Sequence, residues 1–446
     1  MQLTDSEQAV RDGSEGEARA HAMDLLCRYG KALGAERLID TNNVCGGMVG
    51  ALPGRRDLLP EVPEGEERDM DQVYSLLNLD ADKTFDIPPV KAMTYRLIDA
   101  MDPDKADVQR VSPESQQISK DVGKFCSKVG INQCNTCTPY QIGNVPVMGE
   151  HCAWMESSAV IYINSVIGAR TNVEGAHSAS AAALVGKIPY WGYHTDDYRR
   201  GNYLVEIDHD VESMLEWGLM GYWIGEKVKN NVPVLTGIGA PPNPNKLKHF
   251  GAAAASSGGI EMYHIAGVTP EARTVDDAVR GREIREKLVF GKKQLEEAYS
   301  WFSTAKSRDV DFVVIGCPHA SLEQVKLVAS LLEGRTLSAN SNLWIFTPKA
   351  LKSMADRIGY TATIEKAGAH LMSDSCSALS RVYPEGVQVA ATDSCKQAHY
   401  LPAILKFGTW LGSTEQCVDA AVTGKWNGGL AGHKDAGKMI APGALQ

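Results

Sequence analysis

The stretch Asp311-Phe-Val-Val-Ile315-Gly-Cys-Pro-His319-Ala-Ser321-Leu-Glu-Gln324 decides the fold class. Its first five residues form a short, β-branched apolar run, suited to a strand buried on both faces of a parallel sheet. The run ends in Gly316-Cys317-Pro318-His319, and Ser321 with Gln324 three residues later predicts a capping box that opens a helix. Working outward, the pattern recurs. Asn342-Leu-Trp-Ile-Phe346 reads as a strand, Thr347 as a helix N-cap, Pro348 as the first helical residue and Gly359 as the stop. A further helix stops at Gly368, and His370-Leu-Met372 leads into Ser373-Asp374-Ser375-Cys376. Val387-Gln-Val-Ala-Ala391 then leads into Thr392-Asp393-Ser394-Cys395 and another helical stretch. Repeated strand, loop and helix predict right-handed crossovers and a parallel sheet, so the fold class is α/β.

The rest of the chain is less regular. Residues 14–36 carry Ala18, Ala22, Leu25, Leu26 and Tyr29 at helical spacing and predict an amphipathic helix. Residues 54–115 mix Pro60, Pro63, Pro88, Pro89 and Pro103 with acidic side chains, which reads as a surface insertion without a part in catalysis. Residues 236–259, with Pro241, Pro242, Pro244 and a run of small residues, read as a loop or hinge. With 446 residues the chain exceeds one simple core. The expected lobes are 1–135, 136–305 and 306–430, followed by a flexible Gly- and Lys-rich tail over 431–446.

Bulk properties narrow the function classes. A net charge of −10 argues against a nucleic-acid partner, because phosphate binding needs clustered Lys and Arg. No apolar run reaches the roughly eighteen residues of a membrane helix. The acidic start Met1-Gln-Leu-Thr-Asp-Ser-Glu-Gln8 lacks the basic-then-apolar order of a signal peptide, so a cytoplasmic location is expected. A reducing cytosol disfavours structural disulfides, and the ten cysteines need another account. Cys27, Cys126 and Cys417 follow helical or apolar patterns and read as core residues.

Cys317, Cys376 and Cys395 each follow a predicted strand, at the carboxyl ends where ligands bind such sheets. One such cysteine is most simply a small turn residue; three at equivalent positions suit a soft metal or an iron–sulfur cluster. Cys134-Asn-Thr-Cys137 is a C-x-x-C, open by itself to zinc, redox and accidental readings, and no second C-x-x-C follows. Downstream, Glu150-His151, Glu156-Ser157-Ser158, Asn164-Ser165, Arg170-Thr171-Asn172 and Glu174 place many polar groups among apolar ones. Buried polar groups must be paired or functional. Arg170 could clamp a carboxylate or tie two lobes together, and His151 could be structural or a substrate contact.

Several of these motifs resemble the aconitase X family: Cys137-Thr-Pro-Tyr140, Gly149-Glu-His151 with Glu156-Ser-Ser158, and Gly168-Ala-Arg-Thr-Asn172. Gly267-Val-Thr-Pro-Glu271, Gly316-Cys-Pro-His319, Glu365-Lys-Ala-Gly368 with Asp374-Ser-Cys376, and Cys417-Val-Asp-Ala-Ala-Val-Thr-Gly-Lys-Trp426 match in the same order. The resemblance implies an aconitase-like catalytic core of three α/β lobes with mostly parallel sheets around a central cleft. It implies an iron–sulfur cluster and dehydration of a small hydroxy acid, as in cis-3-hydroxy-L-proline dehydratase or mevalonate 5-phosphate dehydratase. By motif, Cys137, Cys317 and Cys376 are the expected ligands, with Cys395 and Cys134 in reserve. The expected substrate contacts are His151, Ser157, Ser158, Arg170, Thr171, Asn172, Glu174, Thr269 and His319. The family's small swivel domain, which carries a serine into the reaction, has no counterpart in this sequence. A separate small subunit is therefore expected as partner, and it would bring the base. Thr41-Asn-Asn-Val-Cys45-Gly-Gly47, and Val173 with Ala176-His177, depart from the family pattern near expected substrate contacts. The few basic residues in these motifs lean towards an unphosphorylated hydroxy acid. The readings of another class are a zinc or redox protein using Cys134 and Cys137, and a cluster-less scaffold descended from the enzyme.

Overall fold

A computed structural model describes residues 1–46, 58–60, 62, 67–302 and 304–430. The expected tail over 431–446, Gly47 and most of residues 47–66 lie outside the described residues. The chain divides into two compact units. The first comprises Met1–Arg200 with Pro348–Ala350 and Ser373–Val382; the second comprises Gly201–Thr347, Leu351–Met372 and Tyr383–Gln446.

The first unit is built on a four-stranded parallel sheet in the order Ile131–Asn132, Met93–Arg96, Asn43–Gly46, Cys152–Trp154. Leu38–Asp40 pairs antiparallel with Lys187–Pro189 beside it. The Glu17–Ala32 helix forms where its spacing predicted, and buries Ala18, Ala22, Leu25 and Leu26. It is preceded by a short helix, Asp5–Arg11, started by a Thr4/Glu7 capping box.

Residues 67–115 are not a surface insertion. They supply the Met70–Leu79 helix, whose Val73, Tyr74 and Leu77 join the core, and the Met93–Arg96 strand inside the sheet. Prolines there bound the elements rather than break them: Pro103 opens a 3-10 turn and Pro113 occupies the first turn of the Pro113–Val129 helix.

The second unit holds two parallel sheets. One has the order Glu286–Gly291, Tyr203–Asp208, Pro233–Thr236, His264–Ile265. The other has the order His370–Met372, Asn342–Phe346, Phe312–Ile315, Val389–Thr392, Gly408–Leu411. All five strands of the latter are parallel, and the Ser321/Gln324 capping box opens the Leu322–Leu332 helix as expected. Val313, Ile315, Leu343, Ile345 and Leu371 form its core with the helix faces.

The hinge reading of residues 236–259 is corrected. Asn243 caps a helix over Pro244–Gly258, which packs against Met214–Val228. Its small residues are there for close approach, since a Cβ on Gly258 would lie 2.1 Å from the Gly225 carbonyl oxygen. Among the described residues no helix is long and apolar enough to cross a membrane.

Candidate functional site

In the first unit, the run from His151 to Trp154 is extended sideways by residues 170–173 through bridges His151–Arg170 and Trp154–Val173. Glu150 O accepts from Arg170 N at 2.8 Å, and Cys152 N donates to Arg170 O at 2.8 Å. This ladder sets the positions of most expected substrate contacts, and it shows that several of them hold the fold. Thr171 Oγ1 donates to Asn172 O at 2.8 Å and accepts from Trp154 N at 3.1 Å. Asn172 Oδ1 accepts from Tyr193 N at 2.8 Å. Ser158 is buried and its hydroxyl bonds Glu156, the N-cap of the Ser157–Tyr162 helix, with Ser157 half-buried beside it. Glu174 is buried and its N–H donates to Trp154 O. Arg170 donates to His194 O at 2.9 Å and pairs with Asp196.

His151 is different. Its Nδ1 lies 3.0 Å from Nδ1 of His194, its ring meets Tyr190 edge-on, and it keeps a half-exposed face. Burial, with the guanidiniums of Arg170, Arg199 and Arg37, pushes the His151 pKa down to about 4. Burial and the same neighbourhood push His194 well below its usual value. Both rings are neutral at physiological pH. Arg37 and Arg199 make this region more basic than the motifs alone implied; their distance along the chain hid them.

The C-x-x-C lies in the same unit. Cys134 donates its thiol hydrogen to Arg96 O, and burial pushes its pKa up to about 12. Cys137 is half-exposed, as are Cys134, Cys317 and Cys376, whereas the other six cysteines are buried and none is in a disulfide. Arg96 and Asp99 form a buried bidentate pair, with both N–H···O distances 2.9 Å.

Residues 99–109 hold the segment that carries Cys376. Asp99 N donates to Asp374 O at 2.6 Å, Ser380 Oγ to Asp99 O at 2.7 Å, and Ser373 N to Asp102 Oδ2 at 2.7 Å. Gln109 Nε2 donates to Ser375 Oγ at 2.8 Å. Asp374 is close enough to Cys134 to help raise its thiol, so the C-x-x-C and the Cys376 segment are neighbours. Asp374 itself is pushed up to about 7, chiefly by burial and then by Asp102.

Cys376 belongs to the first unit, with Ser373–Val382, and Cys317 to the second. Arg96, Asp99, Asp102 and Gln109, within the stretch read as an insertion, were missed as supports.

Cys317 stands in the second unit, after Ile315 and before a cis Cys317–Pro318 bond. Gly316 has φ 99°, and a Cβ there would lie 2.1 Å from Phe346 O, so only glycine fits. Ser394 Oγ donates to Cys317 O. The buried Lys248 ammonium donates to His319 O at 3.0 Å and to Gln324 Oε1 at 2.6 Å, and Gln324 Nε2 reaches His249 Nε2 at 3.1 Å. The loop is thus held from beneath by side chains, which favours a fixed Cys317. His319 is buried. Thr269 folds back on its own turn, accepting from Ile265 N at 3.0 Å.

Of the reserve thiols, Cys395 is buried against Gly218 of the Met214–Val228 helix and its pKa is raised by burial, as befits a core residue. Among the described residues, no three His, Cys, Asp or Glu side chains are gathered as one metal site. Cys137, Cys317 and Cys376 are each half-exposed, and thiolates are the usual donors to iron–sulfur clusters.

Comparison with known proteins is consistent along the chain. Models of the first, second and third aconitase X domains match residues 1–197, 201–300 and 310–423. The lobe boundary expected at 135/136 falls inside the first match, and that at 305/306 falls between the second and third. The phosphomevalonate dehydratase large subunit of Methanocaldococcus jannaschii is 35% identical over 93% of this chain and 99% of its own length. The cis-3-hydroxy-L-proline dehydratase of Pseudomonas aeruginosa is 29% identical over 95% of this chain and 70% of its own. The crystal structure of Thermococcus kodakaraensis aconitase X in its holo-form superposes with a TM-score of 0.79 at 30% identity, covering 94% of this chain and all of that one. The chain belongs to the aconitase X family and is a dehydratase, a hydro-lyase, with that family's aconitase-like α/β core.

Proposed function

We propose that this chain is the cluster-carrying large subunit of a dehydratase that removes water from a small hydroxy acid, with Cys137, Cys317 and Cys376 as the cluster's thiolates. The observation that carries this is the division among the cysteines. The three family-motif thiols are half-exposed, while Cys27, Cys45, Cys126, Cys152, Cys395 and Cys417 are buried; Cys134 is half-exposed too but gives its thiol hydrogen to Arg96 O. A cluster held by these thiolates would supply Lewis-acid activation of the substrate hydroxyl. The chain's own residues do the rest. His151, neutral and flanked by Arg37, Arg170 and Arg199, receives the substrate carboxylate, and Ser157 and His319 complete the contacts. The base is contributed by a small partner subunit. Near-complete coverage of a relative named as a large subunit supports such a partner.

For the substrate, cis-3-hydroxy-L-proline represents the unphosphorylated class. A second reading, mevalonate 5-phosphate, is favoured by the greater identity to large subunits of that activity, 35% against 29%, and by the three guanidiniums near His151. The test is anaerobic co-expression with the small subunit, iron and sulfide analysis, and assay of both acids. Cys317→Ala and Cys376→Ala are expected to lose the cluster, and Cys27→Ala to keep it. Full cluster content in both loop variants overturns the ligand assignment, and a loaded complex inert on both acids overturns the activity.

A further inference from the structure

His194 has no place in the motifs, yet its ring is fully buried, its Nδ1 faces His151 Nδ1 at 3.0 Å, and its Nε2 has no hydrogen-bond partner among the described residues. The cationic groups facing the pair are Arg37, which lies over the Tyr190 ring, Arg170, bound to His194 O and Asp196, and Arg199, bound to Asn164. With those charges around them neither ring carries a proton in excess. One hydrogen then lies between the two Nδ1 atoms, and it belongs either to His151 or to His194.

The two arrangements leave different groups stranded at His194 Nε2. If His151 donated, His194 would bury an N–H with no acceptor. If His194 donates, it buries only a bare ring nitrogen. Orphaned buried N–H groups are the rarer and costlier defect. We infer that His194 is a positioning residue that donates Nδ1–H to His151, so that His151 presents Nε2–H to the substrate carboxylate as a neutral donor and cannot serve as the base.

The backbone holds the donor in place: Arg170 grips His194 O, His194 N donates to Trp191 O at 3.1 Å, and Asn172 caps the turn through Tyr193 N. The substrate role rests on the proposed function above; the tautomer does not.

Long-range proton–nitrogen correlation spectra of the full-length chain, labelled at histidine, read the tautomer without turnover. The His151 signals, identified by their loss in His151→Gln, are expected to show hydrogen on Nε2 at neutral pH. In His194→Leu the donor is gone, and His151 is expected to spread over both tautomers. With the partner subunit present, the Leu variant is expected to raise KM about tenfold with a smaller change in kcat, as loss of an ordered hydrogen bond to a charged group does. His194→Asn, whose amide nitrogen can reach the Nδ1 position, is expected to recover most of that loss. An Nδ1–H tautomer of His151 in the unmodified chain overturns the inference, as do Leu and Asn variants that behave alike. A complex inert on both acids, with His151 still in the Nε2–H form, would instead count against the proposed function alone.

Discussion

Arg96 and Asp99 bury opposite charges three residues apart, and Asp99 also accepts from Ser119 Oγ at 2.7 Å and from Ala100 N at 2.6 Å. Its net contribution as a pair is small, because desolvation offsets the attraction, but removing one partner strands the other. Asp99→Asn is therefore expected to cost about 3 kcal/mol or more in denaturant unfolding. It should also loosen the Ser373–Val382 segment, whose Asp374 and Ser380 bond to the Asp99 backbone. A loss below about 1 kcal/mol would show that the guanidinium finds water or another acceptor. At this scale the sequence showed residue types but not their work. Thr171 and Asn172 read as substrate contacts, and their side chains turn out to brace the 191–193 turn and the sheet edge. His194 carried no local signal at all, because its partner lies 43 residues away.

Helix contacts decide the second unit. Met214–Val228 and Pro244–Gly258 approach so closely that a Cβ on Gly221 would meet Phe250 O at 2.3 Å and one on Gly258 would meet Gly225 O at 2.1 Å. Those neighbours are backbone and cannot rotate away. Gly258→Ala is expected to force the helices apart and cost about 1–3 kcal/mol or more, measured as a lower thermal midpoint with the fold retained. Unchanged stability would mean the pair relaxes freely. The same small residues suggested a linker because composition does not distinguish a flexible segment from a helix stripped for close packing. The five-stranded sheet was legible, by contrast, because its signals are local: apolar runs of strand length, each followed by a cap and a helix.

Over the whole molecule, buried histidines make stability depend on pH. His249 is pushed down to about 3 and His151 to about 4 by burial, with neighbouring cations, from a usual 6.5, and His194 and His399 are lowered too. The unfolded chain takes up these protons below about pH 6.5 while the folded chain does not. Their stabilising contribution is thus complete above that pH and falls as the medium is acidified towards 4 and 3. Asp393, raised to about 6, and Asp374, raised to about 7, act in the opposite sense: their contribution is complete below the usual 3.8 and is lost as pH rises through those values. A variant separates the two sets. His249→Gln is expected to flatten the acid limb between pH 6.5 and 4 by up to about 1.4 kcal/mol per pH unit, read from denaturant midpoints at stepped pH. An unaltered limb would mean that His249 is charged in the folded chain.

What the sequence determined by itself was whatever a few consecutive residues can encode: the strand, loop and helix rhythm of the C-terminal sheet, its caps, the burial of Cys27, Cys126 and Cys417, and the ordered motifs of aconitase X. What only the tertiary structure decided was partnership over distance. Ser373 meets Asp102 across 271 positions and Ser375 meets Gln109 across 266, so a stretch that looked like an insertion supports the Cys376 segment. Local periodicity records which face of an element is apolar. It does not record what covers that face, and buried charges, paired imidazoles and helix contacts without side chains depend on the covering surface for their stability.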